Sequence, residues 1–145
     1  MTAIGVAIAA AYGAIVGSFL NVCIYRLPRG QSIVSPASAC ATCRRPLRWF
    51  ENILIVSYAV LRGRCRTCRA HVSWRYPIVE ALTALIFGLA WGSYGPSVLL
   101  AARLIFACAL IVLFAIDLEH HVLPNVITLP GILVGFGLSF FTGPG

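Results

Sequence analysis

The sequence contains no lysine and only four acidic residues among its 145 positions. Charged residues make up 10% of the chain, against about 25% in a typical soluble domain, and 60% of the residues are hydrophobic. This scarcity of charge excludes an ordinary soluble globular domain and predicts an integral membrane protein. The first residues also lack the positive segment that opens a cleavable signal peptide, so we expect the first apolar run to be retained.

All eleven cationic side chains are arginines, and ten of them lie between Arg26 and Arg75 with apolar sequence on both sides. A net charge of +7 often indicates a nucleic-acid partner. Here membrane topology and anionic headgroups explain the block better, so we expect membrane lipids and no nucleic acid as partners. By the positive-inside rule, the arginine-rich segment faces the cytoplasm.

The apolar runs predict an all-α polytopic membrane protein with about four transmembrane helices and a cytoplasmic zinc-ribbon-like insertion between helices 1 and 2. The predicted parts are a first span at 1–28, an arginine-rich zinc-binding domain at 29–75, and helices 2–4 at 76–145, the start of a peptidase domain. The short apolar run from Ile53 to Leu61 is expected to lie on the membrane surface or beside the zinc site. No internal repeat is apparent.

Small and polar residues mark one face of the first span. Gly13 and Gly17 stand four residues apart, a spacing that permits close approach of another helix. Ser18 and Asn21 follow near the cytoplasmic end, where they either bond across helices or line a polar cavity.

Two Cys-x-x-Cys motifs separated by about twenty residues indicate a structural zinc site with four thiolate ligands. The predicted ligands are Cys40, Cys43, Cys65 and Cys68. Two disulfides or four buried thiols are the alternatives, although a cytoplasmic location keeps thiols reduced. Cys23 and Cys108 stand in apolar runs and are interpreted as small core residues.

Two acids stand out in or near the predicted spans. Glu80 lies inside the second span, too far in depth from Arg103 for an ion pair, and either a functional or a hydrogen-bonded structural role is open to it. Asp117 closes the third span, where partial desolvation would raise its pKa and suit it to proton transfer. If the helix continues, His120 and His121 reach the same face, so a metal site with Asp117 and a polar turn at the membrane boundary are both alternatives.

Several motifs together resemble type IV prepilin peptidases over nearly the whole chain. They are Gly17-Ser18-Phe19-Leu20-Asn21, the paired cysteine motifs, Arg62-Gly63-Arg64-Cys65, Arg75-Tyr76-Pro77-Ile78-Val79-Glu80 and Ile116-Asp117-Leu118. The resemblance implies an aspartic protease of the bacterial inner membrane that cuts the leader from type IV prepilins or pseudopilins. It also implies N-methylation of the new amino terminus with S-adenosylmethionine, an activity associated with the cysteine domain.

The match to this family is to its N-terminal half. Where the family commonly has Leu-Pro-Asp, this chain has Leu123-Pro124-Asn125, so Asp117 corresponds to the first catalytic aspartate. The second belongs to a Gly-x-Gly-Asp motif, and none occurs before Gly145. The alternative is a non-catalytic zinc-ribbon membrane scaffold that binds pilin or secretion-system partners.

Overall fold

A computed structural model describes residues 2–40, 42–48, 51, 53–120 and 125–141. In these residues the chain is helical, and β-structure is limited to two isolated bridges. The helices are α1 (Ala3–Arg26), α2 (Leu54–Leu61), α3 (Arg75–Tyr94), α4 (Val98–His120) and α5 (Asn125–Phe141), with a 3₁₀ turn at Leu27–Arg29. The predicted all-α fold class is confirmed.

Helices α1 and α3 run antiparallel in close contact, and glycine makes that contact feasible. A Cβ atom at Gly17 would lie 2.8 Å from the Cα of Glu80, and one at Gly13 would lie 2.7 Å from the Cβ of Phe87. Since real Cβ atoms do not approach so closely, any side chain at these positions would force the helices apart. The predicted close packing at the two glycines is confirmed, and the partner is α3.

Helix α4 returns after a short turn at Gly95, whose φ of +64° suits glycine. Near its C-terminal end, α4 packs its buried face against α1 and α3. The shared core consists of Leu20, Cys23, Ile24, Val79, Val112, Ala115 and Ile116, and Cys108 packs against it. Cys23 and Cys108 are therefore packing residues, as the sequence indicated.

Three helical segments are long and apolar enough to cross a bilayer in the described part of the chain: 3–29, 75–94 and 98–120. The last described helix, α5, has 17 residues and carries a shorter apolar stretch at 127–137. This length is at the lower limit for a transmembrane helix, about 17–25 residues. The fourth span therefore stays a prediction.

The segment between α1 and α3 is tied back to the membrane helices at several points. The guanidinium of Arg26 donates to the carbonyl oxygens of Ser32 and Pro36, at 2.9 and 2.7 Å. The apolar run after Ile53 forms α2, which packs against α3. The ring of its Tyr58 packs closely against Gly63: a Cβ atom at Gly63 would lie only 2.7 Å from Cζ of Tyr58. The run thus contacts both a membrane helix and the second cysteine motif.

Candidate functional site

The two cysteine motifs meet at one point. The sulfur atoms of Cys40, Cys43, Cys65 and Cys68 all lie within 4.8 Å of one another. The Cys40–Cys68 and Cys43–Cys65 sulfur pairs are 3.7 and 4.0 Å apart. A tetrahedral zinc ion with Zn–S bonds of about 2.3 Å needs sulfur separations of about 3.8 Å, so the geometry fits this metal. A disulfide needs about 2.05 Å, and all six cysteines are free.

The two motifs are copies of one local structure, here called the cysteine ribbon (residues 38–47 and 63–72). Each copy closes with the same backbone hydrogen bonds, offset by 25 positions. The pairs are Cys40 N to Arg45 O and Cys65 N to Ala70 O, Arg44 N to Cys40 O and Arg69 N to Cys65 O, and Leu47 N to Ser38 O and Val72 N to Gly63 O. Arg44 and Arg69 share a positive φ, at 55° and 59°. This structural likeness was not apparent as a sequence repeat, because the copies share little sequence beyond Cys-x-Thr-Cys-Arg.

Backbone amides in each loop favour the thiolate form of the first cysteine. The amide groups of Cys68 and Thr67 lower the pKa of Cys65 to about 6. The amide of Cys43 likewise lowers the pKa of Cys40. By contrast, against a hydrogen bond from the amide of Ala70, desolvation and the other three thiols raise the pKa of Cys68 to about 11. Thiolates and not thiols ligate metals, so a cation bound by all four cysteines would displace the remaining protons.

Glu51 forms hydrogen bonds with the first copy of the ribbon and with the residues that follow it. Sequence analysis did not name it as a site residue. Its side chain is only 5% exposed and accepts bonds of 2.8 Å each from the guanidinium of Arg45 and the backbone amide of Arg48. The hydrogen bond from Arg45 and then that from Arg48 lower the pKa of Glu51. A signal was available, because Glu51 is the only acid within the arginine block.

Glu80 is fully buried and contacts the first turn of α2. Its carboxylate accepts a 2.7 Å bond from the backbone amide of Ile55. The first amides of a helix have no partner within the helix, so this carboxylate caps α2 and joins it to α3. Arg103 lies elsewhere, 4.2 Å over the ring of Tyr94. The geometry thus favours the structural role for Glu80.

We expect Glu80→Ala to destabilise the attachment of α2 by about 1–3 kcal/mol, because the backbone amide of Ile55 would lose its acceptor. Glu80→Gln keeps an acceptor oxygen and should cost less. Thermal unfolding in detergent and the rate of proteolysis within residues 53–74 measure the effect. Unchanged stability of Glu80→Ala, together with lost enzymatic activity, would instead indicate a catalytic role.

Asp117 lies in the last turn of α4, one residue beyond the buried Ile116, and its side chain is exposed. In the described part of the chain, no hydrogen-bond or ion-pair partner of Asp117 is found. Its neighbour Glu119 forms an ion pair with Arg75 at the start of α3. This pair fixes the start of α3 to the end of α4, and sequence reasoning missed it because 44 positions separate the partners.

The metal alternative at Asp117 involves His121, which lies outside the described residues, as do Leu123 and Pro124. Among the described residues, the four cysteines are the one group of three or more candidate metal ligands that converge. The structure brings these cysteines together, and it places Asp117 apart from them on α4.

This geometry defines a class of protein: a polytopic helical membrane protein with a four-cysteine cluster between its first two spans. A sequence model described as the bacterial peptidase A24 N-terminal domain matches residues 11–94. The chain is 46% identical over 131 residues to a prepilin leader peptidase/N-methyltransferase of Myxococcus xanthus, covering 90% of this chain and 39% of the relative. It is 40% identical over 159 residues to the protein of that name from Neisseria gonorrhoeae, covering 93% and 55%.

The chain belongs to the family of prepilin leader peptidases/N-methyltransferases, in the region of their N-terminal domain. It spans about half the length, or less, of these curated relatives. A Klebsiella pneumoniae relative of the same name is 41% identical over 130 residues, covering 86% of this chain and 56% of the relative. No solved structure matches the chain.

Proposed function

We propose that this chain supplies the zinc ribbon and the first catalytic aspartate of a membrane aspartic peptidase that removes leaders from type IV prepilins or pseudopilins. Membership in the family supports the activity class. The observation that carries the residue assignment is that Asp117, alone among the four acids, has no hydrogen-bond or ion-pair partner among the residues that the structure describes. Each of the other three acids binds an arginine side chain or accepts a hydrogen bond from a backbone amide: Glu51, Glu80 and Glu119.

Asp117 would act with a second aspartate, one of the two ionised to activate water and the other protonated to polarise the scissile carbonyl. The second acid is expected in a Gly-x-Gly-Asp motif of the family. Asp117 stands at the cytoplasmic end of α4, at the depth where a scissile bond arrives once the hydrophobic segment of a pilin lies in the membrane. We place the protein in the bacterial inner membrane with the ribbon in the cytoplasm, as the arginine block favours.

We further propose that one zinc ion binds to Cys40, Cys43, Cys65 and Cys68 and that the protein methylates the new amino terminus. A closed four-thiolate site is structural, because catalytic zinc keeps a position open. S-adenosylmethionine would supply the methyl group. The ribbon would order the residues around the reacting amine.

The test is co-expression of a prepilin with a form of the protein that continues through a Gly-x-Gly-Asp motif. Mass spectrometry of the pilin amino terminus should show leader removal and one added methyl group. A folded, zinc-loaded protein that binds prepilin but neither cleaves nor methylates it would support the scaffold alternative.

A further inference from the structure

A recess of about 590 Å³, here called the arginine recess, lies between the end of α2 and the second copy of the cysteine ribbon. The described residues that line it include four arginines and no acid: Val60, Leu61, Arg62, Arg64, Cys65, Arg66 and Arg69. All four arginines are exposed, and none forms an ion pair among the residues that the structure describes. Several guanidinium groups around one space favour an anion that offers several oxygen acceptors, such as a phosphate.

The first copy of the ribbon shows that the motif folds without arginines at these positions. In that copy, 25 positions earlier, alanine stands at each position that matches one of Arg62, Arg64 and Arg66. Both copies nevertheless close with the same backbone hydrogen bonds. The local structure therefore does not account for the arginines of the second copy, and binding of a group from outside the chain does.

The exposed face of α2 is apolar and continues up to the recess. Among the described side chains of this helix, the exposed ones are Ile55, Val56, Ala59 and Val60. The more polar side is turned inward, where the hydroxyl of Ser57 donates to the carbonyl of Glu51. Val56 and Val60 are 58% and 73% exposed, and contact with water is unfavourable for such a face. The face therefore requires an apolar cover.

The depth of α2 identifies that cover as lipid. Glu80, which caps α2 at Ile55, belongs to α3, a helix long and apolar enough to cross a bilayer. Because α3 begins at Arg75, a rise of 1.5 Å per residue places Glu80 about 7.5 Å beyond its start. Trp74, just before that start, is exposed, as is typical of the membrane interface. Interfacial helices bury their apolar face by about 5–10 Å, so the first turn of α2 lies at the boundary of headgroups and acyl chains.

We propose that α2 and the arginine recess form a binding site for an anionic phospholipid, with its acyl chains against the apolar face and its phosphate among the four arginines. The two parts of the site follow each other along the chain as the two parts of a phospholipid do, with apolar side chains up to Leu61 and guanidinium groups from Arg62 onward. Free phosphate or nucleic acid would use the arginines and leave the apolar face uncovered. The inference does not depend on the proposed enzymatic activity.

The experiment is native mass spectrometry of the zinc-loaded, full-length protein in neutral detergent, titrated with phosphatidylglycerol or with zwitterionic phosphatidylcholine. The first phosphatidylglycerol should bind at least about tenfold more tightly than phosphatidylcholine. Replacing Arg62, Arg64 and Arg66 together with alanine, as in the first copy, should abolish this preference. Replacing the same three with lysine keeps the charge and should retain most of it. Zinc content and melting temperature establish that the variants are folded.

A matched pair of single variants separates the recess from the overall positive charge. Arg69 and Arg44 occupy the same position in the two copies, at φ values of 59° and 55°, but only Arg69 lines the recess. Asparagine tolerates a positive φ, so both residues can be replaced with it. Arg69→Asn should weaken phosphatidylglycerol binding about fivefold, and Arg44→Asn should leave it unchanged. Equal effects of the two variants would overturn the proposed site, even if the triple alanine variant did not fold.

The apolar half of the site is tested with Val60→Ser and with glycerol phosphate, which has the phosphate but no acyl chain. Val60→Ser should weaken phosphatidylglycerol binding at least about threefold and leave glycerol phosphate binding unchanged. Val98→Ser is the control, because this exposed valine begins α4, at the far end of the helices from α2.

Three results would overturn the proposal. Equal binding of phosphatidylglycerol and phosphatidylcholine would show that the arginines select no anionic lipid. Glycerol phosphate that binds as tightly as phosphatidylglycerol would identify a site for free phosphate. A single-stranded oligonucleotide that displaces phosphatidylglycerol from the wild type and from Val60→Ser equally well, and that binds more tightly than the lipid, would identify nucleic acid as the occupant.

Discussion

Replacing Asp117 with asparagine is expected to abolish prepilin cleavage, lowering its rate by at least about a thousandfold. The comparison requires a form of the chain that includes a Gly-x-Gly-Asp motif. An amide can neither activate water nor exchange a proton with a partner acid, so the loss reflects chemistry more than stability. Because Asp117 is exposed and has no partner among the described residues, its replacement should leave the melting temperature nearly unchanged.

Glu119→Gln is the matched control, because it makes the same change of carboxylate to amide two residues away. It removes the charge that pairs with Arg75 and should reduce cleavage less than tenfold. An in vitro prepilin assay measures both variants and the 145-residue chain, which should not cleave by itself. Near-normal cleavage by Asp117→Asn, or cleavage by the 145-residue chain, would rule out the two-aspartate assignment.

Removing the metal is the second change with a large expected effect. Structural zinc sites contribute about 10–16 kcal/mol of apparent binding energy, and this energy is folding energy. In the ribbon, the backbone bonds of the two copies and the bonds of Glu51 to Arg45 and Arg48 would not hold the loops in place once the thiolates repel one another. Chelation should therefore release residues 38–48 and 63–73 to proteases while α1, α3 and α4 stay folded.

The number of zinc ions per chain and a set of cysteine variants test this prediction. Metal analysis should give one zinc per chain, and Cys43→Ser or Cys68→Ser should lower this value and expose the ribbon to proteolysis. Cys108→Ala is the control, since this thiol packs against the shared core of α1, α3 and α4 and is not one of the four clustered cysteines. Less than about half an equivalent of zinc in the unaltered protein, or proteolysis unchanged by chelation, would contradict the prediction.

The sequence by itself determined the membrane class, the helical fold and the family. These follow from features that are local along the chain: long apolar runs, the position of the arginine block and the spacing of cysteines within each motif. The small residues Gly13 and Gly17 also predicted a close helix contact, because a missing side chain is visible without knowing the partner. Asp117 was selected in the same way, by its place at the end of an apolar run.

Only the tertiary structure decided which distant groups meet. Three contacts join positions 25 to 55 residues apart: the cap that Glu80 provides to Ile55, the ion pair of Arg75 with Glu119, and the hydrogen bond that Asn21 donates to the carbonyl of Tyr76. A sequence pattern reports the environment of a residue along its own helix or loop. Whether a buried carboxylate caps a helix or awaits a substrate depends on which donor the packing of other elements brings within hydrogen-bond distance.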